Sequence, residues 1–292
     1  MWPYVRPDII KTYVEPHIYD YIVKNNHHQK NFLHEIAYTS ATKPKRIFLG
    51  NAVDTNPYHL FFYMISRFYF FDDGGQIVYF YENKNKPYLL ERALQLLPKR
   101  FLREEQMDPE YEYIEMPGCS WYVDFIDEPW IYSYVRDLFV DIWKGTAQEK
   151  GKYTFISRNR QDIPNRRILN ENELTKPLKN LGFSSYVLEH MSFEQQIKLF
   201  RSSEVITGLH GAGFAWLIFC LPGTTFVEIQ NPYVGIPKGH YVDIAKKCNL
   251  KYVRFDDVRN PLPDEYTNLG NEDCVINVET YISSLKKITE NL

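Results

Sequence analysis

Short apolar runs alternate with amphipathic stretches along most of the chain. KRIFLG (Lys45 to Gly50) reads as a buried strand, and NPYHLFFYMISRFYFF (Asn56 to Phe71) as an apolar-rich helix with a proline in its first turn. GGQIVYFYE (Gly74 to Glu82) is rich in β-branched and aromatic residues and predicts a strand. KPYLLERALQLLP predicts a helix stopped by Pro98, EYEYIEM a strand, and EPWIYSYVRDLFVDIWKG (Glu128 to Gly145) a helix ending at a glycine. The polar stretch GTAQEKGK (Gly145 to Lys152) reads as a linker.

After the linker the alternation resumes. KYTFISR, FSSYVLE, EVITGL, TTFVEI and KYVRF predict strands. NENELTKPLKNLG predicts a helix, with Asn170 as its cap and Gly182 past its end. SFEQQIKLFRSS predicts another, capped by Ser192. FAWLIFCL is a short helix between two strands; YVDIAKKCNL and the tail VETYISSLKKITENL add two more. Two successive α/β patterns split by a polar hinge predict two parallel-sheet domains facing a cleft. Ligands of such sheets sit off the carboxyl ends of the strands.

Composition narrows the function. With 292 residues there is room for one large or two modest domains. A net charge of −3 gives no basic face, and so no reason to expect nucleic acid. Aromatic content of 16% supplies core and also platforms for sugar rings. The four cysteines, Cys119, Cys220, Cys248 and Cys274, are far apart without a C-x-x-C pair, which argues against zinc. Cys220, inside an apolar run, reads as buried and inert; reduced thiols are the simpler reading, with two disulfides the alternative. No stretch approaches the ~20 apolar residues of a membrane helix, and MWPYVRPDII lacks an apolar signal core. The expectation is a cytoplasmic protein or a trimmed luminal catalytic domain.

Three constellations carry candidate chemistry. In EVITGLHGAG, Gly211 and Gly213 let backbone approach a ligand closely. The helix that follows offers free N–H groups and a positive dipole end, a setting for a pyrophosphate without a metal. His210 is placed to donate to a phosphate or a sugar hydroxyl. A tight strand–helix connection with a packed histidine fits the same spacing. H-G-A-G is neither G-x-G-x-x-G nor a P-loop, and no G-x-S-x-G elbow accompanies it, which disfavours a serine hydrolase. The second constellation is ISRNRQDIPNRRILNENEL: Arg158 closes an apolar strand, and Arg160, Arg166 and Arg167 follow. Guanidinium forks suit phosphate oxygens, whereas a solvated basic loop is the alternative for all but Arg158. Glu228, near the end of TTFVEI, is placed to accept from a ribose hydroxyl or is an ordinary strand-end carboxylate. The third is Asn56-Pro57-Tyr58-His59, where His59 is a candidate base for an acceptor hydroxyl or a packed histidine.

These blocks, in this order, resemble glycosyltransferase family 61. The resemblance rests on N-x-x-H at Asn56 to His59 and SR…R-x-I-x-N-E-x-E-L from Ser157 to Leu174. It continues through L-x-x-MSFEQQIKLF, EVITGLHGAG and LPGTTFVEI. It is strong over about residues 153–255 and in the first half covers only Asn56 to Arg67. It implies two Rossmann-like domains in a GT-B architecture, a UDP-sugar co-substrate, inversion at the anomeric carbon and no required metal or other cofactor. The domains would be residues 1–146 on the acceptor side and 147–277 binding the nucleotide-sugar. Residues 278–292 would form a C-terminal helix, with packing back on the first domain one option. By resemblance Ser157, Arg158, Arg166 and His210, Gly211, Ala212 and Gly213 would hold the diphosphate. Glu228 would lie near the nucleoside, and His59 would line the acceptor side.

The sequence departs from the family at one place. Many members carry an acidic residue four positions after the N-x-x-H histidine; here it is Tyr63. The base is then sought among His59, Asp54, Asp72 and Asp73, with His59, Asp73 and His210 taken as the catalytic set. The expected partners are a nucleotide-sugar donor, xylose before GlcNAc, and a glycan or glycoprotein acceptor, with no nucleic acid and no integral membrane segment. The rival readings are a catalytically inactive module binding nucleotide or glycan, and a nucleotide-dependent enzyme of another type such as an epimerase.

Overall fold

The strand-and-helix alternation of the second half folds into one five-stranded, all-parallel sheet. Its strands are β5 (Tyr153–Ile156), β6 (Phe183–Tyr186), β7 (Val205–Leu209), β8 (Thr225–Ile229) and β9 (Lys251–Phe255), in the order β6-β5-β7-β8-β9. The chain here is a computed structural model, which describes residues 45–48, 56–66, 77–79, 88–97, 101–103, 112–115, 129–158, 167–230, 240–259 and 273–292. Strands β7 and β8 are buried at every position. That is why they read as continuous apolar runs rather than as alternating ones.

The two faces of this sheet have different coverings. Phe155, Val205, Leu209, Val227, Ile229 and Phe255 point to one side, where they meet Leu174 and Leu178 of α5 (Glu171–Asn180) and Tyr281 and Leu285 of α8 (Val278–Glu290). The C-terminal helix therefore contributes to the core of this unit. On the other side Phe226 packs on Phe214, ring centroids 4.7 Å apart. Phe214 belongs to a 3-10 helix, Ala212–Phe219. Phe193 of α6 (Phe193–Ser202) meets Trp216 of the same 3-10 helix at 4.9 Å. The α7 helix (His240–Lys247) packs on that element too. FAWLIFCL thus forms the expected short helix, but wound as 3-10. Phe214 to Phe219 are all buried, so no polar face exists to guide an amphipathic α-helix.

Local signals explain most of the boundaries. Ser192 accepts from the Gln195 backbone N–H at 3.2 Å, and the Gln195 side chain accepts from the Ser192 N–H at 2.8 Å, a complete capping box. Gly182, past the end of α5, has φ +88, a left-handed value suited to glycine. Asn170 stands at the cap position of α5 but does not cap it. Its amide instead exchanges two hydrogen bonds with the Ile276 backbone, each 3.0 Å. The strand pair β10 (Val258–Arg259) and β11 (Val275–Ile276) was not expected; two-residue strands leave no readable period.

The chain separates into two units, Met1–Phe139 and Val140–Leu292. The first carries its own parallel sheet, ordered β3-β2-β1-β4, from β1 (Lys45–Phe48), β2 (Ile77–Tyr79), β3 (Phe101–Arg103) and β4 (Glu112–Glu115). Its helices include α1 (Pro57–His59), continued by a π-helical turn Leu60–Ile65, α2 (Tyr88–Leu96) and α3 (Pro129–Leu138). Asn56 caps α1 by accepting from the Tyr58 N–H at 2.9 Å, and Pro57 occupies the first helical position. Phe61, Phe62, Ile65 and Tyr132 lie in the core of this unit.

Candidate active site

The strand order fixes where a ligand of the second unit is expected. The chain steps from β5 outward to β6, then returns to the opposite side of β5 for β7. The order reverses between β5 and β7, and at such a switch point the crevice beyond the carboxyl ends opens. Ser157-Arg158 leaves the end of β5 there, and His210-Gly211-Ala212-Gly213 leaves the end of β7.

Side-chain alternation then sorts the residues at these ends. Thr154, Ile156 and Arg158 share one face of the sheet with Gly208 and His210, with Phe226 and Glu228, and with Tyr252. Arg158 crosses to the β7 turn, where its Nη1 donates to the carbonyl oxygen of His210 at 3.1 Å. The guanidinium lies directly against Gly211: a Cβ there would come within 1.7 Å of Nη1. Gly211 is extended, with φ 169, so the reason for a glycine is the space the arginine occupies, not a forbidden backbone angle. Gly213 is the site of a second close approach, since a Cβ there would stand 2.8 Å from Leu188 Cδ1.

His210 is held on several sides. Its N–H donates to the Ile229 carbonyl at 2.9 Å, extending the β7–β8 ladder past the strand. Its Nδ1 lies 2.5 Å from Glu228 Oε1. The Tyr252 hydroxyl donates to Glu228 Oε2 at 2.7 Å. The ring packs on Tyr241 of α7, centroids 4.9 Å apart and tilted by 60°. Glu228 is only 2% exposed, and a buried carboxylate requires donors on its oxygens. It has one on each. Burial, and the Glu228 carboxylate that its hydroxyl bonds, push the Tyr252 phenol far above its ordinary value, so Tyr252 stays a donor.

The remaining expected residues fall elsewhere. Ser157 turns to the other face, where its hydroxyl donates to Glu171 Oε1 at the start of α5. Burial pushes the Glu171 carboxyl above its usual range, partly offset by Ser157 and by the Arg158 backbone N–H. Arg167 is tied to Asp273: Nη2 donates to Oδ2 at 2.7 Å, and the Arg167 backbone N–H donates to Oδ1 at 2.7 Å. Ala212 opens the 3-10 helix. His59 lies in the first unit, 8% exposed, its ring edge-on to Tyr58. Asp54, Asp72, Asp73, Arg160 and Arg166 fall outside the described residues.

Sequence reasoning missed Tyr252, Tyr241, Glu171 and Asp273. Tyr252 left a faint signal: KYVRF places Tyr and Arg on one face of an otherwise apolar strand, beside VEI on β8.

Comparison with known proteins bears on this arrangement. The family model described as Glycosyltransferase 61 matches residues 21–227, more than two thirds of the chain. The chain is 24% identical over 127 residues to an EGF domain-specific O-linked N-acetylglucosamine transferase of Gallus gallus, covering 42% of this chain and 23% of that protein. It is 36% identical over 66 residues to a beta-1,2-xylosyltransferase of Arabidopsis thaliana, covering 23% and 12%. To the xylan glycosyltransferase MUCI21 of the same plant it is 33% identical over 97 residues, covering 30% and 18%. The matched segment is less than a quarter of each relative's length.

Proposed function

The chain belongs to glycosyltransferase family 61, and from that premise we propose that it moves a sugar from a UDP-sugar to a hydroxyl of a glycan or glycoprotein, with inversion and without a metal, in a GT-B architecture. Xylose is the favoured sugar and GlcNAc the next. That order rests on family membership, and both transferase types are among the relatives.

One observation supports the assignment of the donor site above the others. Arg158 and the His210–Gly213 turn meet at the point where the strand order of a doubly wound sheet reverses. A guanidinium beside such a turn suits a diphosphate. In this reading the acceptor oxygen attacks the anomeric carbon from the face opposite UDP, and the C–O bond to the diphosphate breaks. A general base takes the hydroxyl proton. Arg158 and His210 receive the negative charge that grows on the leaving diphosphate, already oriented before it develops. The 3-10 helix that follows the turn has a tighter and shorter dipole array than an α-helix. More of the task then falls to Arg158 and His210.

The test is a thermal-shift and transfer screen of UDP, UDP-xylose and UDP-GlcNAc with EDTA present. UDP and one of its sugars should raise the melting temperature by mass action. Transfer should survive EDTA and give a product of opposite anomeric configuration by NMR. Arg158→Ala should abolish the shift. Absence of any shift with all three ligands would reject the donor site, and binding without UDP release would favour an inactive binding module.

A further inference from the structure

The hydrogen-bonded chain from half-buried Tyr252 through Glu228 to His210 does more than fill the face of the sheet. The register pairs Phe226 with Tyr252 and Glu228 with Arg254, so Tyr252 stands one pleat behind Glu228 on the same face. A tyrosine is long enough to lean forward along the strand and reach that carboxylate; its hydroxyl ends 2.7 Å from Oε2. Phe226, 5.7 Å from the Tyr252 ring by centroids, packs alongside it. Arg254, the next residue on this face of β9, is paired with Asp256 at 2.5 Å.

Each link has one hydrogen-bonding direction. An ionised carboxylate accepts and cannot donate. Tyr252 therefore gives its proton to Oε2, and the close contact between Oε1 and Nδ1 requires the His210 proton on Nδ1. The hydrogen bond made by one ring nitrogen decides the state of the other. With Nδ1 occupied, the neutral ring carries its lone pair on Nε2; only the protonated ring carries a donor there, and it is in that form that His210 meets the diphosphate oxygens.

We infer that Tyr252 is a positioning residue for His210: by holding Glu228 Oε2 it keeps Oε1 on the Nδ1 proton, and so fixes Nε2 as the atom His210 offers to the donor substrate. The inference rests on His210 serving the diphosphate as proposed above. It adds that the offered atom, its tautomer and its orientation are set through Glu228, 24 residues before Tyr252 in sequence, by a strand at the edge of the sheet. In this arrangement Tyr252 acts through Glu228. Tyr241 against one face of the ring and Ile229 on the His210 N–H hold the imidazole plane and its backbone. Tyr252 and Glu228 select the tautomer.

Ring-15N histidine NMR on the full chain tests this without relying on turnover. The His210 signals are those missing from His210→Ala. In the unaltered protein the neutral ring should show its proton on Nδ1 and a bare Nε2. In Tyr252→Phe, which removes one oxygen and keeps the ring packing, the signals should move towards a mixture of tautomers. Glu228→Gln should mix them further. Transfer by Tyr252→Phe should fall about tenfold, in kcat more than in KM for the donor. A proton on Nε2 in the unaltered protein would overturn the inference. So would a Tyr252→Phe spectrum identical to the unaltered one. The tautomer of the unaltered protein needs no variant, so a Tyr252→Phe that fails to fold leaves that arm decisive. Near-native transfer by His210→Ala would instead sink the function proposed for His210, while the spectrum still reports whether Tyr252 sets its tautomer.

Discussion

The Arg158 guanidinium donates to the carbonyl of His210 and fills the space where a side chain at position 211 would begin. The two strand ends thereby define each other: the arginine closes the turn, and the absent Cβ admits the arginine. Arg158→Ala is expected to lower transfer by ~10²–10³, the usual cost of removing one fixed donor from developing charge. Gly211→Ala, which displaces the same guanidinium without touching its charge, should approach that loss. Because both act through one contact, the double variant should be little worse than Arg158→Ala alone. Steady-state kinetics of the three variants check this; a fully multiplicative double variant would mean that Gly211 acts independently of Arg158.

Gly208 makes the opposite prediction. A Cβ there would lie 2.6 Å from the Ile156 carbonyl and 3.2 Å from Phe214 Cζ. The first is backbone of the neighbouring strand, which cannot swing aside as an arginine tip can. Gly208→Ala should therefore cost stability, about 1–3 kcal/mol as overpacking usually does. Chemical denaturation measures it. An unaltered midpoint would show that β5 and β7 separate more readily than their pairing suggests.

These two glycines show how far the sequence could be read. The turn, the strand before it and the arginine at the end of β5 were legible, because apolar strand ends and glycine-rich junctions are local patterns. The division of labour between Gly208 and Gly211 was not, since it depends on which atoms of β5 face each of them. Glu228 reads as a ribose acceptor or an ordinary strand-end carboxylate, and each of its oxygens accepts from a protein donor. That pairing joins β7, β8 and β9, and no window along the chain contains all three. Ser157 and Arg158 were read as one unit, but the strand period sends them to opposite faces. Arg167 belonged to an expected anion trap and is spent on Asp273, 106 residues away.

The cysteines give a prediction free of the catalytic reading. Cys220 and Cys274 are free thiols, and both are buried, as is Cys248. With two of the four free, the alternative of two disulfides falls. Burial, with Cys248 beside it, pushes the Cys220 thiol well up. Burial and the Asp273 carboxylate push Cys274 up to about 12. Only thiolates react at useful rates, so Ellman's reagent should label at most one thiol per native chain and more after denaturation. Rapid labelling of two or more in the native protein would contradict this packing.

Glu171 links stability to pH in a direction opposite to most carboxylates. Its Oε1 accepts from the Ser157 hydroxyl, while Oε2 is buried with no hydrogen-bond partner among the described residues. Burial outweighs the stabilising contacts, and the folded value rises above the ordinary carboxyl value of 4.5. The folded chain then binds this proton more tightly than the unfolded chain does. Its contribution is fully present below 4.5 and is lost as pH rises through the higher folded value. Glu171→Gln keeps an acceptor for Ser157 but cannot ionise. The melting temperature of Glu171→Gln relative to the unaltered protein should therefore increase between about pH 4 and about pH 7. Ser157→Ala, which removes the contact that favours the ionised form, should steepen the loss while leaving UDP affinity within about twofold, a change of ~0.4 kcal/mol. A melting difference that stays constant with pH would show that Glu171 is solvated as well folded as unfolded. A tenfold loss of UDP affinity in Ser157→Ala, without any change in the pH profile, would move Ser157 from the α5 side of the sheet to the ligand.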